Sequence, residues 1–245
     1  MCGFGAITFA AKWTGYDTPT SMLAAGALIF LAMVFDGLDG AAARWTNHST
    51  EFGAQLDSLC DAISFGAAPA FLMLALAQPL GYHPRVLWVA AALYVVCTVL
   101  RLARFNVQSD AEEKPKGFVG LPSPAAASVV ASFPIMLYGP QLLTDELPGA
   151  GVSEQVVGWV ATSIPLVTFA VACLMVSRIR YPHLLRQMVR GKKRSRRNLV
   201  TMVFALAVIV AVPRVAVPAL VGWYAFAAPV AALWNRQVRR LPAAP

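Results

Sequence analysis

The sequence predicts an all-α protein, a polytopic transmembrane helical bundle forming a single integral-membrane domain. Three observations carry this. Of 245 residues, 58% are hydrophobic and only 13% are charged, and the mean hydropathy is +0.62, which excludes an ordinary water-soluble domain. Apolar runs recur at close to the ~20 residues that a helix needs to cross a bilayer. Basic residues collect in alternate connections between those runs, as the positive-inside rule expects.

Taken in order, MCGFGAITFAA at the start is apolar for about 11 residues, too few to cross alone. It lacks the basic leading region of a signal peptide, and reads as the end of a first transmembrane helix that begins upstream of Met1. Candidate spans follow at about 20–43, 52–77, 85–104, 123–140, 155–177, 198–212 and 215–235. No internal repeat or low-complexity tract interrupts them.

Placing the connection after the second helix in the cytoplasm puts 17 of the 20 basic residues inside. They include Arg44, Arg101, Arg104, Lys114, Lys116 and nine in 178–197. Lys12, Arg85 and Arg214 fall outside, as does the acidic stretch TDELPG. The run RGKKRSRRN has the charge of a nucleic-acid patch. Between two spans it reads instead as a topology anchor that meets anionic head groups, so no nucleic-acid partner is expected. Cys2, Cys60, Cys97 and Cys173 have no CxxC spacing and predict neither a disulfide framework nor a zinc site. His48 and His183 lack ligand-like partners and are not assigned to metal.

Four aspartates, Asp36, Asp39, Asp57 and Asp61, fall in the short stretch FDGLDGAAARWTNHSTEFGAQLDSLCD. Steps of three and four put Asp36, Asp39, Gly40, Ala43 and Arg44 on one stripe of the second helix. The same steps put Gly53, Asp57, Asp61 and Ser64 on one stripe of the third. RWTNHST supplies a polar turn, with Ser49 or Thr50 before Glu51 as a helix start. Two antiparallel helices joined there bring four carboxylates together. Like charges so close oppose one another's ionisation, and protonation or a bound cation relieves them. Carboxylates suit Mg2+ or Mn2+, whose shells are completed by substrate phosphates, and two such ions suit displacement at phosphorus. Gly40 and Gly53 leave bare backbone for a bulky ligand, and Arg44 offers a planar fork to phosphate oxygens. For any one residue the alternative is a helix cap, a snorkelling group or tight helix packing. Four acids on two registered faces at a membrane edge point to function.

The pattern Asp36-x2-Asp39-Gly40-x2-Ala43-Arg44-x8-Gly53-x3-Asp57-x3-Asp61 resembles, at every fixed position and spacing, the signature of the CDP-alcohol phosphatidyltransferase family. The resemblance implies a six-helix catalytic core over 1–177 with its first helix truncated. The basic cytoplasmic segment 178–197 and two C-terminal transmembrane helices in 198–235 would complete the chain. It implies an enzyme that transfers a lipid phosphate from a CDP-activated donor to an alcohol and releases CMP, and a homodimer in the inner (cytoplasmic) membrane. EFGAQLDSLCDAISFGAAPA, RLARFN and GLPSPAAA further resemble the phosphatidylserine synthase branch, whose donor is CDP-diacylglycerol and whose acceptor is L-serine.

Carried over residue by residue, Asp36, Asp39, Asp57 and Asp61 would ligate metal, the implied pair of ions being shared among them. Asp61 would also be the general base. Asp39, Gly40, Ala43, Arg44 and Gly53 would face the CDP portion. Two departures stand out. The first helix is cut short, and Ala41 replaces a basic residue common in the branch. No Ser or Cys with an adjacent His base occurs in the motif, so direct transfer without a covalent enzyme intermediate is expected.

Arg101 and Arg104 share a face at the end of the fourth span and suit the serine carboxylate or the lipid phosphate, snorkelling being the alternative. Asn106 and Ser64 are weaker candidates for the same role. Ser123 and its flanking prolines fit helix-start chemistry. The polar loop from Val107 to Val119 reads as a connector or a lid. Acceptors carrying phosphate, such as a glycerol phosphate or an inositol phosphate, remain open. A cation carrier is the rival class, disfavoured because its sites lie near the midplane in repeated, interrupted helices.

Overall fold

The computed structural model describes residues 1–12, 15–46, 51–78, 81–109, 118–139, 154–181 and 209–238. Its helices are α1 (Cys2–Ala10), α2 (Thr18–Thr46), α3 (Glu51–Asp61), α4 (Ala68–Ala77), α5 (Pro84–Ser109), α6 (Ser123–Tyr138), α7 (Glu154–Val176) and α8 (Pro213–Val238). A π-helical segment, Ala62–Ala67, joins α3 to α4.

Local chemistry sets several of these boundaries. The Asp17 carboxylate accepts the Thr20 backbone N–H at 3.3 Å, capping the start of α2. The Thr20 side chain, together with this backbone N–H, holds the Asp17 carboxyl below its ordinary range. α5 opens on Pro84, and α6 has Pro124 in its first turn, where the missing N–H costs nothing. Pro134, Pro165, Pro218 and Pro229 lie inside helices, a placement membrane helices tolerate better than soluble ones.

α1 lies against α2, α4 and the π segment, α2 against α6, α5 against α7, and α6 against α8. Met22, Leu72, Tyr94, Val130, Ile164 and Met175 form the buried centre. At the α2–α6 crossing the backbones nearly touch, since a Cβ on Gly26 would sit 3.0 Å from the Ala131 carbonyl oxygen. Val34, Trp88, Val96, Trp159, Leu166 and Trp223 face outward and exposed. Five helical stretches, Thr18–Ala41, Glu51–Ala77, Pro84–Val107, Gly158–Val176 and Pro213–Ala231, are long and apolar enough to cross a membrane. Outward apolar faces on such helices have lipid as their natural solvent, and the fold is a polytopic membrane helical bundle.

Three features differ from the sequence expectation. The span at 52–77 is not one uniform α-helix but contains the π segment. The span at 123–140 is the shorter, 16-residue helix α6, which Gly139 follows in an extended conformation with ψ 157°. Two short strands also form, β1 (Phe118–Val119) and β2 (Arg180–Tyr181), paired antiparallel with Val119 opposite Arg180. Gly120 permits this at φ +87°, where a Cβ would lie 2.3 Å from the Met175 carbonyl oxygen. Its N–H donates to the Ile179 carbonyl at 2.8 Å, fastening the start of α6 to the end of α7. Most of the expected span 198–212, the RGKKRSRRN run with His183, the turn holding His48, Ser49 and Thr50, and most of the 107–119 loop lie outside the described residues.

Candidate active site

α2 carries Asp36 and Asp39, and α3 carries Asp57 and Asp61 one turn apart. Carboxylate oxygens of Asp36, Asp57 and Asp61 all lie within 4.8 Å of one another. Among the described residues this is the only group of three or more His, Cys, Asp or Glu with that geometry. Asp36 and Asp61 are half-buried and Asp57 is exposed. Asp39 is exposed and outside this group, yet near enough for its charge to bear on Asp36 and Asp57.

Oxygens around one Mg2+, at about 2.1 Å from the ion, stand ~3–4 Å apart. The three carboxylates therefore need to close by less than about 2 Å, within side-chain rotation, to share a dication. Hard anionic oxygens in this number suit a divalent ion, so the residues present fit one.

α5 flanks the carboxylates. Arg101 is half-buried, and its charge bears on Asp36 and Asp61. Its Nη1 donates to the Oγ of Ser123, a fully buried residue at the start of α6. That bond fixes one edge of the guanidinium and leaves the rest of the fork for an anion. Arg104 is half-buried one turn farther on α5. Asn106 braces α3 directly, since its amide nitrogen donates to Ser58 Oγ at 3.0 Å.

Gly40 is half-buried at the end of α2, and Gly53 is exposed in α3. Ala43 and Arg44 lie in the last turn of α2, and their side chains are outside the described set. Ser64 falls in the π segment and packs on Gly3 of α1, where an added Cβ would lie 2.6 Å from both Ser64 Cα and Oγ.

Spacing alone missed two braces. Ser58 adjoins Asp57 in sequence and carries no spacing signal of its own. Ser123 fits helix-start chemistry in sequence, and its partner Arg101 is far away in the chain. No local signal identifies either pair, because each joins two helices.

Fold and site together define a polytopic helical membrane protein with a carboxylate centre suited to a divalent cation. The chain belongs to the CDP-alcohol phosphatidyltransferase family, whose sequence model matches residues 1–167. It is similar to the CDP-diacylglycerol--serine O-phosphatidyltransferase of Methanocaldococcus jannaschii, 41% identical over 106 residues, covering 43% of this chain and 48% of the relative. The Mycobacterium leprae protein of the same name is 46% identical over 111 residues, covering 42% of this chain and 35% of that one. The archaetidylserine synthase of Methanothermobacter thermautotrophicus is 37% identical over 164 residues, covering 66% of this chain and 59% of the relative. The chain thus spans about half the length, or less, of the first two relatives. α8 lies beyond the family match.

Proposed function

We propose that the protein transfers the phosphatidyl group of CDP-diacylglycerol to L-serine, giving phosphatidylserine and CMP. The observation that carries this is the meeting of Asp36, Asp57 and Asp61, from two helices, within the family signature. Relatives named for serine transfer favour serine as the acceptor.

Asp61 accepts the proton as the serine hydroxyl oxygen attacks the lipid-bearing phosphorus. A neutral hydroxyl is a weak nucleophile, and a placed carboxylate lowers the barrier by taking its proton. The bond from that phosphorus to the oxygen of the CMP phosphate breaks, and CMP leaves with the bonding electrons. Asp36, Asp39, Asp57 and Asp61 would hold Mg2+ or Mn2+, two ions in the full site, which would supply positive charge to offset that on the diphosphate and on departing CMP. Arg44, Gly40 and Gly53 border the CDP portion. Arg101, oriented by Ser123, binds the serine carboxylate or the lipid phosphate. Transfer is direct. The site faces the cytoplasm at the cell membrane, and the working form is a homodimer.

Purified protein given CDP-diacylglycerol, Mg2+ or Mn2+, and each candidate alcohol tests this. Serine-dependent CMP release is expected. Release only with a glycerol phosphate or an inositol phosphate overturns serine as acceptor, and a phosphatidyl-enzyme formed from donor alone overturns direct transfer. The archaetidyl donor is the second to assay, because the relative bearing that name matches 66% of the chain.

A further inference from the structure

We infer that Tyr94 and Pro69 are positioning residues that aim Asp57 and Asp61 at Asp36 by maintaining the π segment between α3 and α4. The inference rests on the proposed function for its chemistry and on geometry for its substance.

α3 buries no residue of its own. α4 is anchored, with Leu72 and Met73 fully buried. The facing of Asp57 and Asp61 is therefore passed through Ala62–Ala67, with the Ser58–Asn106 pair as a second tether. A π turn holds one residue more than an α turn. That residue rotates everything on its N-terminal side by roughly 100° and shifts it by about 1.5 Å relative to a continuous α-helix. With α4 fixed in the core, an all-α connection would turn both aspartates away from Asp36.

The cause of the π turn is visible two residues into α4. In an α-helix the Phe65 carbonyl receives the amide N–H of residue 69, and that residue is Pro69. Proline has no N–H, and its ring crowds the carbonyl four residues back. The Tyr94 hydroxyl, fully buried on α5, donates to the Phe65 carbonyl oxygen at 3.2 Å. A buried carbonyl deprived of its helical donor is costly unless another donor replaces it. Two close contacts hold the segment in place. A Cβ on Gly66 would lie 3.3 Å from Thr98, one turn along α5 from Tyr94, and a Cβ on Gly3 would lie 2.6 Å from Ser64 on the other side. Thr98 also donates to the Tyr94 carbonyl at 2.9 Å.

The test uses the full chain in detergent or nanodiscs and two readouts. The first is Mn2+ affinity of the wild type, Tyr94→Phe, Pro69→Ala, the double variant, and Thr168→Val. The last loses a buried hydroxyl that donates to the Ile164 carbonyl within α7. Tyr94→Phe should weaken Mn2+ binding on the order of tenfold, as expected when a group supporting metal ligands is lost. Pro69→Ala should weaken it at least as much. In the Pro69→Ala background Tyr94→Phe should add less than about twofold, because residue 69 then serves the Phe65 carbonyl itself. Thr168→Val should leave Mn2+ affinity unchanged.

The second readout needs no ligand. With Cys2, Cys60, Cys97 and Cys173 replaced by Ala, an Asp36→Cys/Asp61→Cys pair should oxidise readily to a disulfide, and Tyr94→Phe or Pro69→Ala should slow this. The inference is overturned if Tyr94→Phe lowers only the melting temperature, leaving Mn2+ affinity and thiol cross-linking as in the wild type. It is equally overturned if the effects of Tyr94→Phe and Pro69→Ala multiply independently. A wild type that neither binds Mn2+ nor releases CMP refutes the proposed function, while the cross-linking result still decides the positioning role.

Discussion

Replacing Asp57 by Asn should make the metal-free protein more stable and the metal-loaded protein less so. Three carboxylate oxygens lie within 4.8 Å of one another. At that separation two unit charges repel by about 0.9 kcal/mol in water and about 3.5 kcal/mol at the effective dielectric of a protein surface. Asp57 is exposed, so solvent screening favours the lower figure. Asp57→Asn removes two of the three repulsive pairs, or about 2 kcal/mol. For a chain of this size that corresponds to a rise in Tm of about 4–8 °C without metal. Mn2+ at a hundred times its Kd should stabilise the wild type by about 2.7 kcal/mol, and the variant by much less, so the order of the two inverts. Thermal unfolding at pH 8, in EDTA and then in excess Mn2+, reads both signs. A lower Tm for Asp57→Asn in EDTA, or equal Mn2+ shifts for both proteins, would refute the reasoning.

Asp61→Asn should reduce serine-dependent CMP release by about a hundredfold or more, the usual worth of a placed base; near wild-type turnover would remove Asp61 from the proton step. Arg101→Lys keeps the charge but loses the fork that spans Ser123 and an anion, so KM for serine or for donor should rise by roughly tenfold. Unchanged KM for both substrates would make Arg101 a structural group. Gly26→Val forces a Cβ to 3.0 Å from the Ala131 carbonyl and 3.4 Å from Pro134 Cγ, and should cost about 1–3 kcal/mol of stability, read as a lower Tm. Tyr181→Phe removes the hydroxyl that donates to the Ala225 carbonyl of α8 at 3.0 Å. It should cost about 1 kcal/mol and should increase protease access to α8.

Much of the bundle was readable from composition because lipid imposes a simple rule. Each span must be long, apolar and helical, and Thr18–Ala41, Pro84–Val107 and Gly158–Val176 lie close to their expected spans. The rule fails where packing rather than length decides. α6 is the example, at only 16 residues. Its ends are held by Gly120 bonded to Ile179 and by Arg214, whose Nε donates to the Gly139 carbonyl. Neither partner is near in sequence.

At the site, the identity of the side chains, their order and their spacing, and through these the family, are legible in the chain alone. Chemistry requires carboxylates for a dication whatever the surrounding fold, so Asp36, Asp39, Asp57 and Asp61 stand out in any apolar chain. Tertiary structure alone decided which of them converge and what holds them. Three meet while Asp39 stands apart, Ser64 turns to Gly3, Arg101 is bridled by Ser123, and a π turn intervenes after Asp61. Helical periodicity assumes a constant angle per residue. Pro69 breaks that constancy, and the hydroxyl that accommodates the break belongs to Tyr94, on another helix.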